Sequence, residues 1–199
     1  MNLNYKLYFK YIMFHTNQIF IKNLFKNDKT LNLYLTENNL YYLVMHVKLS
    51  SLFYSTQLTD IFAYDYPFNT CNLDNNKLSQ ISTLNNNIIV YNFHSIQNQQ
   101  RFFIFSLNHV KKNYNKNSIN WISINSITEL FLNANWLERE AAELNGIFFS
   151  RKKDLRNLML QYGDTSAPLK KSFPSIGLRE IYYDAATDLL IQNPVTIQF

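Results

Sequence analysis

Residues 88–107 read IIVYNFHSIQNQQRFFIFSL. Two apolar runs, IIVYNFHS at 88–95 and RFFIFSL at 101–107, flank a short polar linker at 96–100. Aromatic and β-branched side chains suit the pleated, half-buried surface of a sheet, and so short a linker folds the second run back on the first. The pattern predicts an antiparallel hairpin. Upstream, FYSTQLTDIFAYDY at 53–66 has the same character and ends at Pro67, which reads as another strand. The Asn-rich stretch 69–87 between them is expected to be a loop. Farther back, Leu40, Leu43, Val44 and Val47 recur at helical spacing over 40–49. Thr36 is a candidate N-cap there, with Asn39 in the place usually held by an acid. Residues 19–25 are read as a short helix with Asn23 on its wet side. Downstream, 111–118 is a polar loop. Ser126 is positioned to cap a helical turn with Glu129 three places on, and Asn135 to cap a helix with Glu138 three places on. Gly146 then ends that helix in the left-handed role. The expected fold class is α+β, a small mixed sheet with packed helices.

Composition narrows the function. A chain of 199 residues buries roughly 70% of its unfolded surface and needs no disulfide or metal staple. With Cys71 as its lone cysteine, the chain excludes an internal disulfide, a zinc ribbon and a Cys-ligated iron–sulfur cluster of its own. There are 16 Phe and 14 Tyr against 3 Gly and 4 Pro, with Asn and Lys throughout, a usage that fits an AT-rich organellar genome. The net charge of +5 suits nucleic acid, anionic membrane surfaces or acidic protein partners, as well as a merely Lys-rich surface. No segment approaches the ~20 apolar residues of a membrane span. The first twenty residues lack Arg, and Lys10 interrupts a signal-like core, so the N-terminus is a poor targeting peptide. That leaves synthesis within the protein's own compartment or a cytosolic location.

The last third changes character. Residues 151–199 hold two of the three glycines and three of the four prolines, with only short periodic pieces at 155–160 and 181–183. A long aperiodic end rich in aromatics suggests a segment that packs on something else. The expected organisation is an N-terminal extension at 1–30, an α+β globular domain at 31–149, and a long extended C-terminal arm at 150–199 that packs on partner subunits.

From Ser126 the chain runs SITELFLNANWLEREAAELNGIFFSRKKDLRNLMLQYGDTSAPLKKSFPSIGLREIYYD. Along it, in one order, lie Ser126-Ile127-Thr128, Asn135-Trp136, Glu138-Arg139-Glu140, Gly146, Asp154-Leu155-Arg156, Tyr162-Gly163, Pro168-Leu169, Lys171, Phe173-Pro174, Gly177, Glu180 and Tyr183-Asp184. This series resembles the thirty-kilodalton (NuoC-type) subunit family of respiratory complex I, known in mitochondria as NADH dehydrogenase subunit nine. LTDIFAYDYP and the two hairpin runs look like the family's central sheet, more faintly. Departures stand at Lys152-Lys153, where the family usually has His-Pro, and at Ser166-Ala167, where it usually has Gly-His. Ser172 replaces an acid and Asn145 an aromatic.

The resemblance implies a non-catalytic core subunit in the peripheral arm of NADH–quinone oxidoreductase. It would stand beside the subunits that form the quinone site and hold the terminal cluster. It would lie on the matrix side of the mitochondrial inner membrane, without a transmembrane span. No cofactor is expected on this chain; FMN and iron–sulfur clusters belong to its neighbours. The implied structural or partner-contact residues are Trp136, Glu138, Arg139, Glu140, Asp154, Arg156, Tyr162, Gly163, Pro168, Lys171, Phe173, Pro174 and Glu180.

The same residues are open to other chemistries. Glu138, Glu140 and Glu143 suggest paired carboxylates for acid–base work. On a helical wheel Trp136, Leu137, Ala141 and Leu144 form an apolar stripe that includes Glu140 and leaves Glu138 on the far side. The acids then do not converge, and Glu140 is expected to be buried and paired with an arginine, Arg156, Arg179 or one from a neighbour. His15, His46, His94 and His109 have no metal-site spacing. RFFIFSL has the basic start and aromatic alternation of an RNA-stacking strand but lacks its glycine, and reads better as a central strand. A basic organellar RNA- or ribosome-associated protein is the alternative reading. Arg151-Lys152-Lys153 and Lys170-Lys171 are expected to be surface charge, free for acidic partners or lipid headgroups.

Overall fold

The computed structural model describes residues 19–21, 31–36, 39–50, 56–67, 85–96, 99–109 and 124–195. Cys71, His15, the body of the expected 69–87 loop and the 111–118 loop lie outside these residues.

A five-stranded mixed sheet is built from β1 (Ile19–Ile21), β2 (Leu31–Thr36), β3 (Thr56–Pro67), β4 (Asn85–Ser95) and β5 (Gln100–His109) in the order β1-β2-β5-β4-β3. The expected hairpin is its centre: β4 and β5 pair antiparallel, with Phe93 opposite Phe102 and Tyr91 opposite Ile104. β3 adds antiparallel to β4, whereas β2 runs parallel to β5. A parallel neighbour requires a crossover. The chain reaches β5 from β2 by way of α1 (Leu40–Leu49), β3 and β4, and α1 buries Leu40, Leu43, Val44 and Val47 as their spacing predicts. The segment read as a helix at 19–25 instead contributes β1, paired antiparallel with β2. Its β-branched Ile19 and Ile21 suit an edge strand once a sheet edge is present, an effect local periodicity does not report.

Strand alternation places the core on one face. Leu33, Ile104, Tyr91 and Ile61 line up across four strands, all buried. Beside them the Phe93 and Phe102 rings stack with centroids 5.3 Å apart. On the other face Tyr34 stacks on Phe105 at 4.8 Å, next to buried Val90 and exposed Phe62. β5 is therefore a central strand with Phe102 and Ile104 in the core and Phe103 and Phe105 half-buried opposite.

α2 (Ala134–Asn145) packs against β3 on the core side. It is the crossover between two short parallel strands, β6 (Ile124–Asn125) and β7 (Phe149–Ser150). A bulge between Leu58 and Asp60 interrupts β3, and there the Asn133 amide donates to the Leu58 carbonyl at 3.2 Å. That bond fixes the start of α2 on the sheet. The helix begins before the expected cap: Asn133, not Asn135, is the N-cap, without a side-chain cap bond. The Ser126 hydroxyl accepts from the Thr128 amide at 3.3 Å in the turn before it, while the Glu129 carboxylate accepts from the Tyr41 hydroxyl instead of closing a capping box. Gly146 ends α2 at φ +62°, as its sequence position predicts. After β7 the chain carries β8 (Arg179–Asp184) and β9 (Leu189–Pro194), an antiparallel hairpin that forms its own two-stranded sheet.

Candidate functional site

Helix α2 organises the residues that the sequence singles out. Its buried face is Ala134, Glu138, Ala141 and Asn145, with Arg139 beside it. The wheel holds for Ala141, which is buried, and for Leu137, which packs on the core, but not for the rest: Glu138 is 0% exposed, Trp136 is 59% exposed, and Glu140 is only half-buried. α2 packs on β3, and Glu138 turns inward toward the chain that follows β6. There its carboxylate accepts from the Ser126 hydroxyl at 2.7 Å, the Ile127 amide at 2.8 Å and the Lys152 ammonium at 3.1 Å. Lys152 reaches it because Arg151, at φ +61°, turns the chain inward directly after β7. The ammonium also donates to the Asn135 carbonyl at 3.0 Å. The expectation that Lys152 is surface charge is thus corrected. A carboxylate survives burial when a cation and hydrogen bonds replace water, and all of these are supplied here. Tyr91 lies on the core face nearby; burial, then the Glu138 charge, pushes its phenol well above the ordinary range.

The next turns of α2 seize the segment after β7. The Arg139 guanidinium donates to the carbonyls of Arg156 at 2.8 Å and Asn157 at 3.0 Å, and stands 3.6 Å from Asp154. It also lies 5.4 Å from the Trp136 ring centroid. Glu143 accepts from the amides of Met159 at 2.6 Å, Leu158 at 2.8 Å and Leu160 at 3.4 Å. Arg156 makes a two-pronged pair with Asp154, both contacts at 3.0 Å. Hydrogen bonding from Arg156 holds the Asp154 carboxyl well below the usual carboxylate range. The expected Glu140–arginine pair does not form within the described residues: Arg156 is taken by Asp154, and Arg139 by the loop.

At the C-terminus of α2 the Leu169 amide donates to the Leu144 carbonyl at 2.9 Å. The Lys170 side chain crosses Gly146 so closely that a Cβ there would lie 2.6 Å from its Nζ. A cation at this end also complements the helix dipole. Farther along, the Lys171 amide donates to Asp65 of β3 at 3.3 Å. Tyr162, Gly163, Pro168 and Phe173 share one open cavity of about 690 Å³ with Leu178 and Ile181. Pro174 is exposed, its carbonyl accepting from Gly177, and Glu180 is half-buried at the start of the hairpin. Most candidate residues therefore fall into two groups, one on α2 and the loop it holds, the other lining this cavity, with Lys171, Pro174 and Glu180 outside both. The three glutamates do not converge on a common point. Among the described residues no group of three His, Cys, Asp or Glu is placed to hold a metal.

Sequence reasoning gave Lys152, Glu143 and Ser126 other roles and gave Tyr91 none. For Glu138, which the wheel put on the far side, a signal existed: an acid between two alanines at helical spacing marks a carboxylate carried inward on a closely packed face. Lys152 and Tyr91 carry no local signal, because each meets Glu138 only through the packing of separate elements.

The family described as Respiratory-chain NADH dehydrogenase, 30 Kd subunit, matches residues 33–178. The chain is 30% identical over 177 residues to NADH-ubiquinone oxidoreductase subunit 9 of Dictyostelium citrinum, covering 89% of this chain and 75% of that one. It is 32% identical over 204 residues to the subunit of the same name from Acanthamoeba castellanii, covering 99% and 91%. A longer relative, the mitochondrial NADH dehydrogenase [ubiquinone] iron-sulfur protein 3 of Candida albicans, is 33% identical over 71% of this chain and 42% of its own length. Among solved structures, an archaeal respiratory membrane complex, the membrane-bound sulfane sulfur reductase, contains a chain with TM-score 0.60 at 12% identity, covering 87% of each. That likeness is one of fold.

Proposed function

The chain belongs to the 30 kDa subunit family of respiratory-chain NADH dehydrogenase and is a core subunit of that NADH–quinone oxidoreductase, complex I; from this premise we infer that its own part is non-catalytic and consists of ordering its neighbours. The observation that carries this reading is the surface after β7. Leu155, Met159, Tyr162, Leu169, Leu178, Ile181, Tyr182, Tyr183, Leu189 and Leu190 are all exposed along one segment. Apolar surface on that scale marks a contact with other protein. An isolated two-stranded hairpin such as β8–β9 is also marginal in water without a surface to pack on.

In this reading residues 31–149 form the globular body and 150–199 the arm that neighbouring subunits cover. The partners are the subunits that form the quinone site and hold the terminal cluster. FMN and the iron–sulfur clusters reside in neighbours, and electrons pass from NADH to quinone through them. The location is the matrix face of the mitochondrial inner membrane, a placement supported by the mitochondrial names of fungal relatives. No helix among the described residues is long and apolar enough to cross a membrane.

Native-gel separation of membranes, with NADH dehydrogenase staining and identification of the proteins in the stained band, tests the reading. The chain should be a stoichiometric component of that band. Its recovery solely as a free protein, or with RNA in a salt-sensitive complex, would overturn it.

A further inference from the structure

The hairpin β8–β9 follows an anchored stretch of chain. Residues 158–171 are tied to the body: Glu143 takes the amides of 158–160, the Leu169 amide donates to Leu144 of α2, and the Lys171 amide donates to Asp65 of β3. By contrast, no residue of β8 or β9 is buried. Between the two parts is a turn in which the Gly177 amide donates to the Pro174 carbonyl at 3.0 Å. Gly177 stands at φ +90° in open space, so its backbone rotates without meeting a neighbour. Beyond it the Val195 amide donates to the Leu178 carbonyl at 3.4 Å, which ties the foot of the hairpin so that it moves as one piece. The open cavity of about 690 Å³ lies between these two parts. Tyr162, Asp164 and Pro168 line it from the anchored stretch; Leu178, Arg179 and Ile181 line it from the hairpin. Arg179 and Ile181 share one face of β8, and Gln192, opposite Ile181, lines the cavity too. Each side is therefore apolar with one charge, and the two charges are opposite. No ion pair joins Asp164 and Arg179. Their fields already meet: the Ser166 amide first, and the Arg179 charge after it, holds the Asp164 carboxyl below its ordinary value.

We propose that β8–β9 is a strap that swings about the Pro174–Gly177 turn, closes this cavity in the free chain, and is released when neighbouring subunits take its place. Closure sets Leu178 and Ile181 on Tyr162 and Pro168, which removes apolar surface from water, and brings Arg179 to Asp164. A two-stranded hairpin is marginal without a surface to pack on, and here the same chain supplies one of matching charge. Shielding these contact residues limits non-specific association before assembly. On release the strap loses its apolar contact, and the surface of the neighbours replaces it. Release rests on the reading of the chain as a complex I subunit; closure does not.

Hydroxyl-radical footprinting of the isolated full-length chain reads closure from two tyrosines of equal intrinsic reactivity. With the strap open Tyr162 is 77% exposed, against 47% for Tyr182 on the other face of the hairpin. Closure inverts that order, so Tyr162 should be labelled less than Tyr182. Arg179→Glu sets like charges across the gap and should raise Tyr162 labelling about two- to fivefold, the population shift that an exposed ion pair commands; adding Asp164→Lys should bring it back. Tyr162 labelled more than Tyr182, or unmoved by Arg179→Glu, overturns the strap. A cystine tests release. In a Cys71→Ser background, Asp164→Cys and Arg179→Cys should cross-link under mild oxidation, and failure to do so refutes closure. The oxidised chain should then enter the native assembly several-fold less than the same chain reduced. Equal incorporation of the two forms refutes release. Absence of the wild-type chain from the assembly band overturns the subunit reading and leaves closure standing.

Discussion

Replacing Lys152 by methionine removes the one cation within ion-pairing distance of Glu138 among the described residues. Both side chains are sealed from solvent, at 1% and 0% exposure, so water cannot take the place of the lost ammonium. Breaking a buried pair from one side costs about 3–5 kcal/mol, because the remaining charge keeps its desolvation penalty without its partner. The Ser126 hydroxyl and Ile127 amide still bond the carboxylate, which places the expected cost toward the lower end of that range. The Asn135 carbonyl loses its donor as well. Against a typical total stability of about 5–15 kcal/mol this is a large fraction. In urea, with a slope of about 2 kcal/mol per molar, the unfolding midpoint of the full-length chain should fall by about 1.5–2.5 M. The companion change Glu138→Gln strands the lysine in turn. The double variant carries no buried charge at this site and keeps an acceptor for the Ile127 amide. It should therefore be more stable than the sum of the two single losses predicts, with a coupling of about 1–3 kcal/mol in a double-mutant cycle. A loss under about 1 kcal/mol for Lys152→Met, the value of an exposed pair, would refute the reasoning, as would strictly additive single and double variants.

Gly146→Ala should destabilise the chain by about 1–2 kcal/mol, since an L residue at φ +62° is strained and its Cβ must displace the Lys170 ammonium; thermal or urea unfolding measures it. Tyr91→Phe should cost less than about 1 kcal/mol or stabilise, because the buried hydroxyl has no hydrogen-bond partner among the described residues. The same variant should resist alkali better: a phenol whose folded pKa is raised keeps its contribution below the unfolded value near 10 and loses it as pH rises toward the folded one. For Asp154 the sign is opposite. Its folded pKa is depressed, chiefly by the Arg156 hydrogen bond, so its stabilisation is present above the unfolded value of about 3.9 and fades as pH falls below it. Asp154→Asn should therefore flatten the acid limb of a stability-versus-pH curve below about pH 4, and an unchanged limb would contradict the assignment.

Much of the fold is written in local pattern. The β4–β5 hairpin, α1 over 40–49 and the Gly146 stop follow from period-two alternation, helical spacing and a residue free to adopt positive φ. The lone cysteine limits metal and disulfide chemistry, and the ordered series from Ser126 to Asp184 carries the family without any coordinates. What failed were inferences about which groups meet. Residues 19–21, read as the start of a helix, became β1 because β2 offered them a sheet edge. The face of α2 was decided by its packing on β3 and by the partners waiting for Glu138, so a paired carboxylate is buried where the wheel places tryptophan. Lys152 and Glu138 are fourteen residues apart and become partners only when β7 lies parallel to β6 and Arg151 turns the chain under the helix. Arg139 and Glu143 look like ordinary helix-surface charges until the loop at 156–160 presents its carbonyls and amides to them. Hydrophobic period and turn chemistry depend on neighbours along the chain, so the sequence by itself determined β3, the β4–β5 hairpin, α1, the end of α2 and the family. The partner of a buried charge depends on neighbours in space, which tertiary packing alone decided.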